Sequence, residues 1–333
     1  MLLNPAIIAL ISGSFLVSAF AVYATVIGLQ VVRRWDLSSG SEGQLALERK
    51  TYLVSTVLTY VMAFELFSLL MYVYTADHHH QMFVGAMCAA GSLNVNSYGY
   101  PTLILKIINF ILCGIWLMLN YTDNQARDYP LIRTKYRFLI PVAALLILET
   151  LLQTGYFMNL RADVITSCCG TQFSENAGGI AGDIAALPAR ATLVIFFLSM
   201  VLTLRMGSHF YMTGKNPRLY VYFSTWMLFF SIVAVISVIS VYFYEQPTHH
   251  CPFCILQKEY HFIGYPLYLT LFSSSILGMG MGMVDRFKET ASLKAVIPAL
   301  QKRLCLISMV GYVVFTLIVL YPMLFSDFRL FGQ

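Results

Sequence analysis

The feature that most constrains this chain is a series of long apolar segments. There are eight, and they cover residues 6–32, 51–76, 101–121, 138–160, 190–213, 219–244, 264–284 and 304–325. Each has the length of about 20 residues that a helix needs to cross a bilayer. Only 11% of the residues are charged, against about 25% in soluble domains. The sequence therefore predicts an all-α polytopic membrane helix bundle of eight transmembrane helices in a lipid bilayer.

The basic residues lie mainly in every second connection between these spans. Sixteen of the 21 Lys and Arg follow spans one, three, five and seven or lie near the end of span five. Positively charged loops stay in the cytoplasm, so we expect both termini to lie outside, in a bacterial cytoplasmic membrane. The basic residues are explained by this sorting between the two membrane sides. The net charge of +5 therefore gives no indication of nucleic-acid binding.

A short pattern occurs twice along the chain. Its two copies are His78-His79-His80, Cys88 and Gly99-Tyr100-Pro101, and then His249-His250, Cys251, Cys254 and Gly264-Tyr265-Pro266. A four-plus-four duplication, with halves 1–160 and 190–333, would give parallel repeats within a single integral membrane domain, 1–333. The connection 161–189 is long enough to form a capping loop on the outer side.

The most reactive stretch is H-H-C-P-F-C at residues 249–254, just before the seventh span. A C-x-x-C pair can form a disulfide, share a metal ion or act in redox chemistry. We expect the redox role for Cys251 and Cys254, because Cys168 and Cys169 are predicted on the same outer side, where disulfides persist. The two pairs could then exchange electrons by thiol–disulfide exchange. A structural disulfide remains an alternative.

Residues 251–258, C-P-F-C-I-L-Q-K, resemble the C-x-x-C-I-x-Q-R segment of DsbB, the bacterial quinone-coupled disulfide oxidase family. The resemblance covers residues 251–270, and the family has four spans where this chain has eight. It implies a membrane thiol–disulfide oxidoreductase that uses Cys251 and Cys254 as the membrane-proximal redox pair. Gln257 and Lys258 would then lie beside a quinone. The pair at 168–169 would be the shuttle that reacts with an extracytoplasmic thiol protein.

Two other functions are open. In the first, the outer cysteines bind copper or zinc together with imidazoles, in a metal-binding or metal-transport protein. The candidate ligands are His78, His79, His80, His249 and His250. In the second, the chain is a membrane anchor subunit of a larger respiratory or export complex. Haem is not expected, because His209 is the only histidine well within a span and the sequence has no C-x-x-C-H motif.

Charged and glycine-rich positions within the spans indicate how the helices pack. Glu65, Lys106 and Glu149 are expected to point into the bundle, because an ionised side chain is costly in hydrocarbon. Glycine and methionine alternate over residues 278–283. We interpret this run as a close helix contact rather than a metal relay, since small residues let membrane helices approach one another.

Overall fold

The protein is described here by a computed structural model that covers residues 3–36, 39–166, 169–174 and 177–330. Its α-helices are α1 (Pro5–Arg34), α2 (Glu42–His78), α3 (Ala89–Leu93), α4 (Gly99–Asp123), α5 (Ile132–Met158), α6 (Cys169–Gln172), α7 (Ile180–Ala185), α8 (Ala189–Thr213), α9 (Pro217–Ala234), α10 (Ser240–Tyr244), α11 (Gly264–Asp285) and α12 (Val296–Phe325). A π-helical turn, Val235–Ile239, joins α9 to α10.

Eight of these helical segments are long and apolar enough to cross a membrane, with α9, the π-helical turn and α10 counted as one. Over the described ranges, β-structure is limited to one isolated bridge between Val84 and Ile165. The predicted all-α bundle of eight transmembrane helices is therefore confirmed. The predicted spans match the apolar centres of these helices, and several helices extend beyond them with polar turns.

Sequence signals account for several helix ends. The side chain of Asn4 accepts a hydrogen bond from the Ala6 N–H at 2.9 Å, and Pro5 opens α1. Both residue types are favoured there, because the first helical N–H groups have no partner within the helix. Helix α8 ends at Gly214, whose φ of 68° lies in the left-handed region that glycine adopts without strain. The local sequence thus sets where these spans begin and end.

The chain divides into two compact units. The first comprises the chain up to Thr75, Asn96–Leu160 and Met283–Leu300, and the second comprises Ala76–Val95, Arg161–Gly282 and the chain from Gln301 onward. These units do not coincide with the predicted halves 1–160 and 190–333. Residues 76–95 of the first half belong to the second unit, and residues 283–300 of the second half belong to the first unit. The internal repeat stays a prediction.

The first unit has an apolar core built by α1, α2, α4 and α5. Trp116, Tyr136 and Leu139 are fully buried at its centre. Polar contacts also join α1 to α5, since Ser18 Oγ lies 2.7 Å from Thr150 Oγ1. Such bonds hold membrane helices together where lipid removes most of the hydrophobic driving force.

Charged side chains inside the first unit are paired. Glu65, Lys106 and Glu149 are each at most 2% exposed, which confirms that they point into the bundle. Lys135 and Asp123 form a second buried pair, with Lys135 Nζ 2.7 Å from Asp123 Oδ2. The predicted spans leave Lys135 in the connection between the third and fourth spans, but α5 already begins at Ile132. The pairing explains how a lysine can lie within this helix.

In the second unit, α9 and α11 approach closely at two glycines. A Cβ atom added to Gly278 would lie 2.2 Å from Ser224 Oγ, and one added to Gly282 would lie 2.6 Å from Val221 Cγ2. These distances support the helix-packing interpretation of residues 278–283.

We expect Gly278→Ala to lower the free energy of unfolding by about 1–3 kcal/mol, because the added methyl group overpacks the α9–α11 contact. Thermal unfolding of the purified protein in detergent would measure this loss. Gly43→Ala is the matched control, since no atom lies within 4 Å of the Cβ it would add. Equal stability of both variants would contradict the close-packing role of Gly278.

The described parts of the connection 161–189 contain the short helices α6 and α7 and pack against other segments of the second unit. The Thr166 N–H donates to Val84 O at 3.0 Å, and Thr166 Oγ1 donates to Gly91 O at 3.0 Å. The ring of Phe173 lies edge-on to Phe253, with centroids 6.2 Å apart. This connection therefore contacts both segments that carry the cysteines described next.

Candidate functional site

Three cysteine sulfurs meet within the second unit. The Sγ atoms of Cys88, Cys251 and Cys254 all lie within 4.8 Å of one another, and Cys88 Sγ is 3.6 Å from Cys251 Sγ. All three residues are buried, with at most 4% of their surface exposed. Three polarizable sulfurs at this spacing form a donor set for a soft metal ion or a relay for thiol–disulfide exchange.

Two tyrosines fix the turn that carries Cys251 and Cys254. The Tyr244 hydroxyl donates to Cys251 O and accepts from the Ile255 N–H at 2.9 Å. Tyr268 donates to Pro252 O at 2.7 Å. Because Tyr244 ends α10 and Tyr268 lies in the first turns of α11, the turn is held by the two helices that flank it. The Phe253 N–H points at Cys251 Sγ from 3.4 Å, an arrangement that stabilises a negatively charged sulfur.

Cys88 reaches this turn through a short polar link. It immediately precedes α3, and the next N–H group, that of Ala89, donates to Asp77 Oδ1 at 3.0 Å. The same carboxylate oxygen accepts from Gln257 Nε2 at 3.2 Å, and this amide also donates to Met87 O at 2.8 Å. Asp77 and Gln257 therefore hold the segment before α3 next to the segment after Cys254. They position the third sulfur.

An imidazole borders the sulfurs. His249 Nε2 lies 3.4 Å from Cys254 Sγ, and the His249 ring packs edge-on against Tyr244 with centroids 4.4 Å apart. The Tyr244 side chain therefore supports both the cysteine turn and the histidine. This arrangement brings one nitrogen donor to the edge of the three-sulfur cluster.

The neighbouring His250 has a different role. Its Nδ1 lies 3.1 Å from Ile236 O and 3.0 Å from Ser237 O, both in the π-helical turn. A carbonyl only accepts hydrogen bonds, so Nδ1 carries the proton and donates it. A π-helical turn leaves carbonyl oxygens without their usual α-helical donors, and His250 satisfies two of them. His250 thus fixes the segment before Cys251 onto the sixth span.

The other predicted site residues are more scattered. Lys258 is exposed, and the Gln257 amide is engaged with Asp77 and Met87. Among the three consecutive histidines, His78 is exposed, His79 is buried, and the His80 ring lies against Asp77 O. Cys168 and the side chain of Cys169 lie outside the described residues. Their predicted shuttle role stays a prediction.

The predicted site residues do not include Cys88, Asp77 or Tyr244. The signal for Cys88 was the repeated pattern of histidines, cysteine and G-Y-P, which gives Cys88 the same place in the first copy that Cys251 has in the second. Asp77 and Tyr244 act by hydrogen bonding to segments far along the chain. Neither residue belongs to a recognisable motif.

The cluster dimensions can be compared with those of a metal centre. For tetrahedral zinc with Zn–S near 2.3 Å and Zn–N near 2.05 Å, the distance between two sulfurs is about 3.8 Å and that between sulfur and nitrogen about 3.5 Å. The observed separations are 3.6 Å for Cys88 Sγ to Cys251 Sγ and 3.4 Å for Cys254 Sγ to His249 Nε2. These two separations lie within about 0.2 Å of two of the six edges of such a site. The three sulfurs form a group within 4.8 Å of one another, and His249 lies beside that group at Cys254.

Fold and site together define an integral, multi-pass membrane protein with a buried three-cysteine cluster in one of its two units. No protein-family model, curated protein or solved structure matches this chain significantly.

Tyr244→Phe tests how the site is built. Removing the hydroxyl leaves Cys251 O and the Ile255 N–H without this partner, so we expect the free energy of unfolding to fall by about 1–3 kcal/mol. We also expect Cys251 and Cys254 to react faster with a maleimide. Mass spectrometry of the labelled protein would measure the rate of this reaction. Tyr60→Phe changes an exposed tyrosine and serves as the control. Unchanged labelling in Tyr244→Phe would show that this hydroxyl does not order the turn.

Proposed function

We propose that this membrane protein binds one thiophilic metal ion, preferably Zn²⁺, through the thiolates of Cys88, Cys251 and Cys254 and the imidazole of His249. The observation that carries the proposal is the group of three buried sulfurs within 4.8 Å of one another, with His249 Nε2 3.4 Å from the Sγ of Cys254. Sulfur and imidazole are also the donors that zinc and cuprous ions prefer over oxygen.

Charge favours zinc over a cuprous ion at this site. Three thiolates carry three negative charges, and the cluster is buried. A divalent ion leaves one uncompensated negative charge, whereas a monovalent ion leaves two, and buried uncompensated charge is costly. The Asp77 carboxylate, which is linked to Ala89 and Gln257, adds to the negative charge nearby.

The number of protein ligands indicates how the metal acts. Three of the donors already form a group, and the His249 imidazole beside Cys254 would supply the fourth donor that closes the coordination sphere in structural zinc sites. The metal would join the segment before α3 to the C-P-F-C turn and fix their geometry. The protein's role would then be metal binding and metal-dependent organisation of this end of the second unit.

The direct test is the metal content of protein purified without chelators, measured by inductively coupled plasma mass spectrometry. We expect about one equivalent of zinc in wild type and below about a tenth of that in Cys88→Ser, because loss of one thiolate opens the site. Cys113→Ser changes a buried cysteine outside this cluster and should keep the metal. Metal-free wild type that takes up no zinc on titration would rule out the proposal.

A second candidate function is thiol–disulfide oxidation, and the 3.6 Å between Cys88 Sγ and Cys251 Sγ favours it. In this reaction a Cys88 thiolate attacks a Cys251–Cys254 disulfide, a Cys88–Cys251 bond forms, and Cys254 leaves as a thiolate. A thiol protein would supply the two electrons, and a quinone beside Gln257 and Lys258 would accept them with two protons. The resemblance of residues 251–270 to the quinone-coupled oxidases supports this alternative.

Cys254→Ser separates the two candidates. For the oxidoreductase, we expect this variant to accumulate a mixed disulfide of Cys251 with Cys88, Cys168, Cys169 or a partner protein, because the resolving thiol is absent. Non-reducing gels and peptide mapping would identify the adduct. For the metal site, we expect no adduct and a loss of zinc.

The membrane orientation belongs to the same proposal. With sixteen basic residues on one side, we expect both termini and the three-cysteine cluster to face the outside. Reporter fusions after residues 128 and 295 should then be active only in the cytoplasm. Activity of these fusions on the outer side would move the cluster into a reducing compartment, which would disfavour the disulfide alternative.

A further inference from the structure

A second polar cluster lies among the spanning helices of the first unit. Lys106 Nζ of α4 is 2.6 Å from Glu149 Oε1 of α5 and 3.7 Å from Glu65 Oε1 of α2. It also donates to Ser68 Oγ at 2.6 Å, and Asn109 Nδ2 donates to Glu149 Oε2 at 2.6 Å. All five residues are at most 2% exposed. We call this set the mid-membrane cluster.

The charges of the mid-membrane cluster do not balance. It contains two carboxyl groups and one ammonium group, so it carries one negative charge if all three are ionised. An uncompensated charge among membrane helices is costly. Among the described residues, the titratable side chains beside it include Tyr72 on α2, whose ring centroid is 5.6 Å from Lys106 Nζ, Cys113 on α4 and Tyr156 on α5, and all are neutral groups unless they lose a proton.

No further cation comes from the neighbouring helix. The buried residues of α1 are Ile7, Leu10, Ser14, Val17, Ser18, Ala21, Ala24, Ile27, Gly28 and Val31, none of which titrates. The balancing positive charge must therefore be a proton or a bound cation.

Two buried oxygen atoms are available to receive that charge. Among the residues described, Glu65 Oε1 has the Lys106 ammonium at 3.7 Å but no hydrogen bond, and Asn109 Oδ1 has no hydrogen-bond donor. The Asn109 amide is oriented by its Nδ2 bond to Glu149, so its oxygen is a true acceptor without a donor. Buried acceptors of this kind are normally satisfied, and here one additional O–H would provide a donor.

We infer that Glu65 and Glu149 share one exchangeable proton, which makes the mid-membrane cluster a proton-binding site within the bilayer. The proton comes from the aqueous phase and returns to it, and one carboxyl O–H bond is the only bond formed or broken. Lys106 lies 3.7 Å from the Glu65 oxygen, so a metal cation there would be repelled, whereas a proton becomes part of a neutral carboxyl group. Ionisable residues inside membrane bundles commonly serve as proton relays.

The proton itself can be observed by infrared spectroscopy of the purified full-length protein. At neutral pH we expect wild type to show the C=O stretching band of one protonated carboxyl group, with a downshift after exchange into D₂O. Glu65→Gln should lose this band. Glu289→Gln, which changes an exposed glutamate in the same unit, should keep it.

Two further measurements remain decisive if Glu65→Gln does not fold. Wild type labelled with ¹³C-glutamate must shift the band, since any protonated carboxyl in the cluster belongs to glutamate. Titration with Na⁺ at constant pH must leave the band unchanged. The inference would be overturned if wild type lacks the band or if glutamate labelling does not shift it. Loss of the band on addition of Na⁺ would also overturn the inference.

Discussion

Saturating zinc is expected to raise the free energy of unfolding of wild type by about 4 kcal/mol, when free zinc is about 1,000 times the dissociation constant. The reason is that the four donors come together only in the folded chain, so the metal binds the native state in preference to the unfolded state. Reversible unfolding in mixed micelles, followed by circular dichroism with and without zinc, would measure the difference.

Variants of single cysteines give this experiment its control. In Cys251→Ser the stabilisation by zinc should fall below about 1 kcal/mol, because a serine hydroxyl is a poor ligand for zinc and the coordination sphere opens. Cys305→Ser should retain the full effect, since this buried residue lies in α12, and its Sγ contacts Gly207 O at 3.5 Å. Equal zinc stabilisation of Cys251→Ser and wild type would show that the metal binds elsewhere.

Lys106→Met is expected to lower the free energy of unfolding by about 3–5 kcal/mol. Methionine has a similar length but no charge, so the variant leaves Glu65 and Glu149 buried without their ammonium partner. Unfolding of the purified protein in mixed micelles would measure the loss. The effect should be far larger than that of an exposed substitution, which is usually within about 0.5 kcal/mol.

A double-mutant cycle identifies the cause of this loss. Adding Glu149→Gln to Lys106→Met removes the uncompensated carboxylate and should recover part of the stability, so the two changes should not be additive. Lys302→Met changes an exposed lysine of α12 and should have little effect. If the double variant is as unstable as the sum of both single variants, the charges do not interact as the distances indicate.

Much of the fold follows from the sequence because hydrophobicity acts locally in a bilayer. A stretch of about 20 apolar residues forms a helix wherever it lies in the chain, since each backbone polar group must be satisfied within the segment. For the same reason, the burial of Glu65, Lys106 and Glu149 could be predicted residue by residue. The helix that contains Lys135 begins before the predicted span, and the pairing of Lys135 with Asp123 on the preceding helix is visible only after folding.

The candidate site was only half accessible to sequence reasoning. The C-P-F-C turn is visible as a motif, because the spacing of Cys251 and Cys254 is local. Cys88 lies 163 residues before Cys251, and no local rule indicates that their sulfurs come within 3.6 Å. The Asp77–Gln257 hydrogen bond, which spans 180 residues, brings the two segments together.

The sequence alone thus determined eight membrane helices and a C-x-x-C pair, and it predicts which side is cytoplasmic, because hydropathy, motif spacing and charge bias are properties of short segments. Only the tertiary structure decided which third sulfur and which imidazole join Cys251 and Cys254. It also decided which charges meet in the mid-membrane cluster. These pairings depend on hydrogen bonds and packing between segments that are distant in the chain, and such contacts have no signature in any one of the segments.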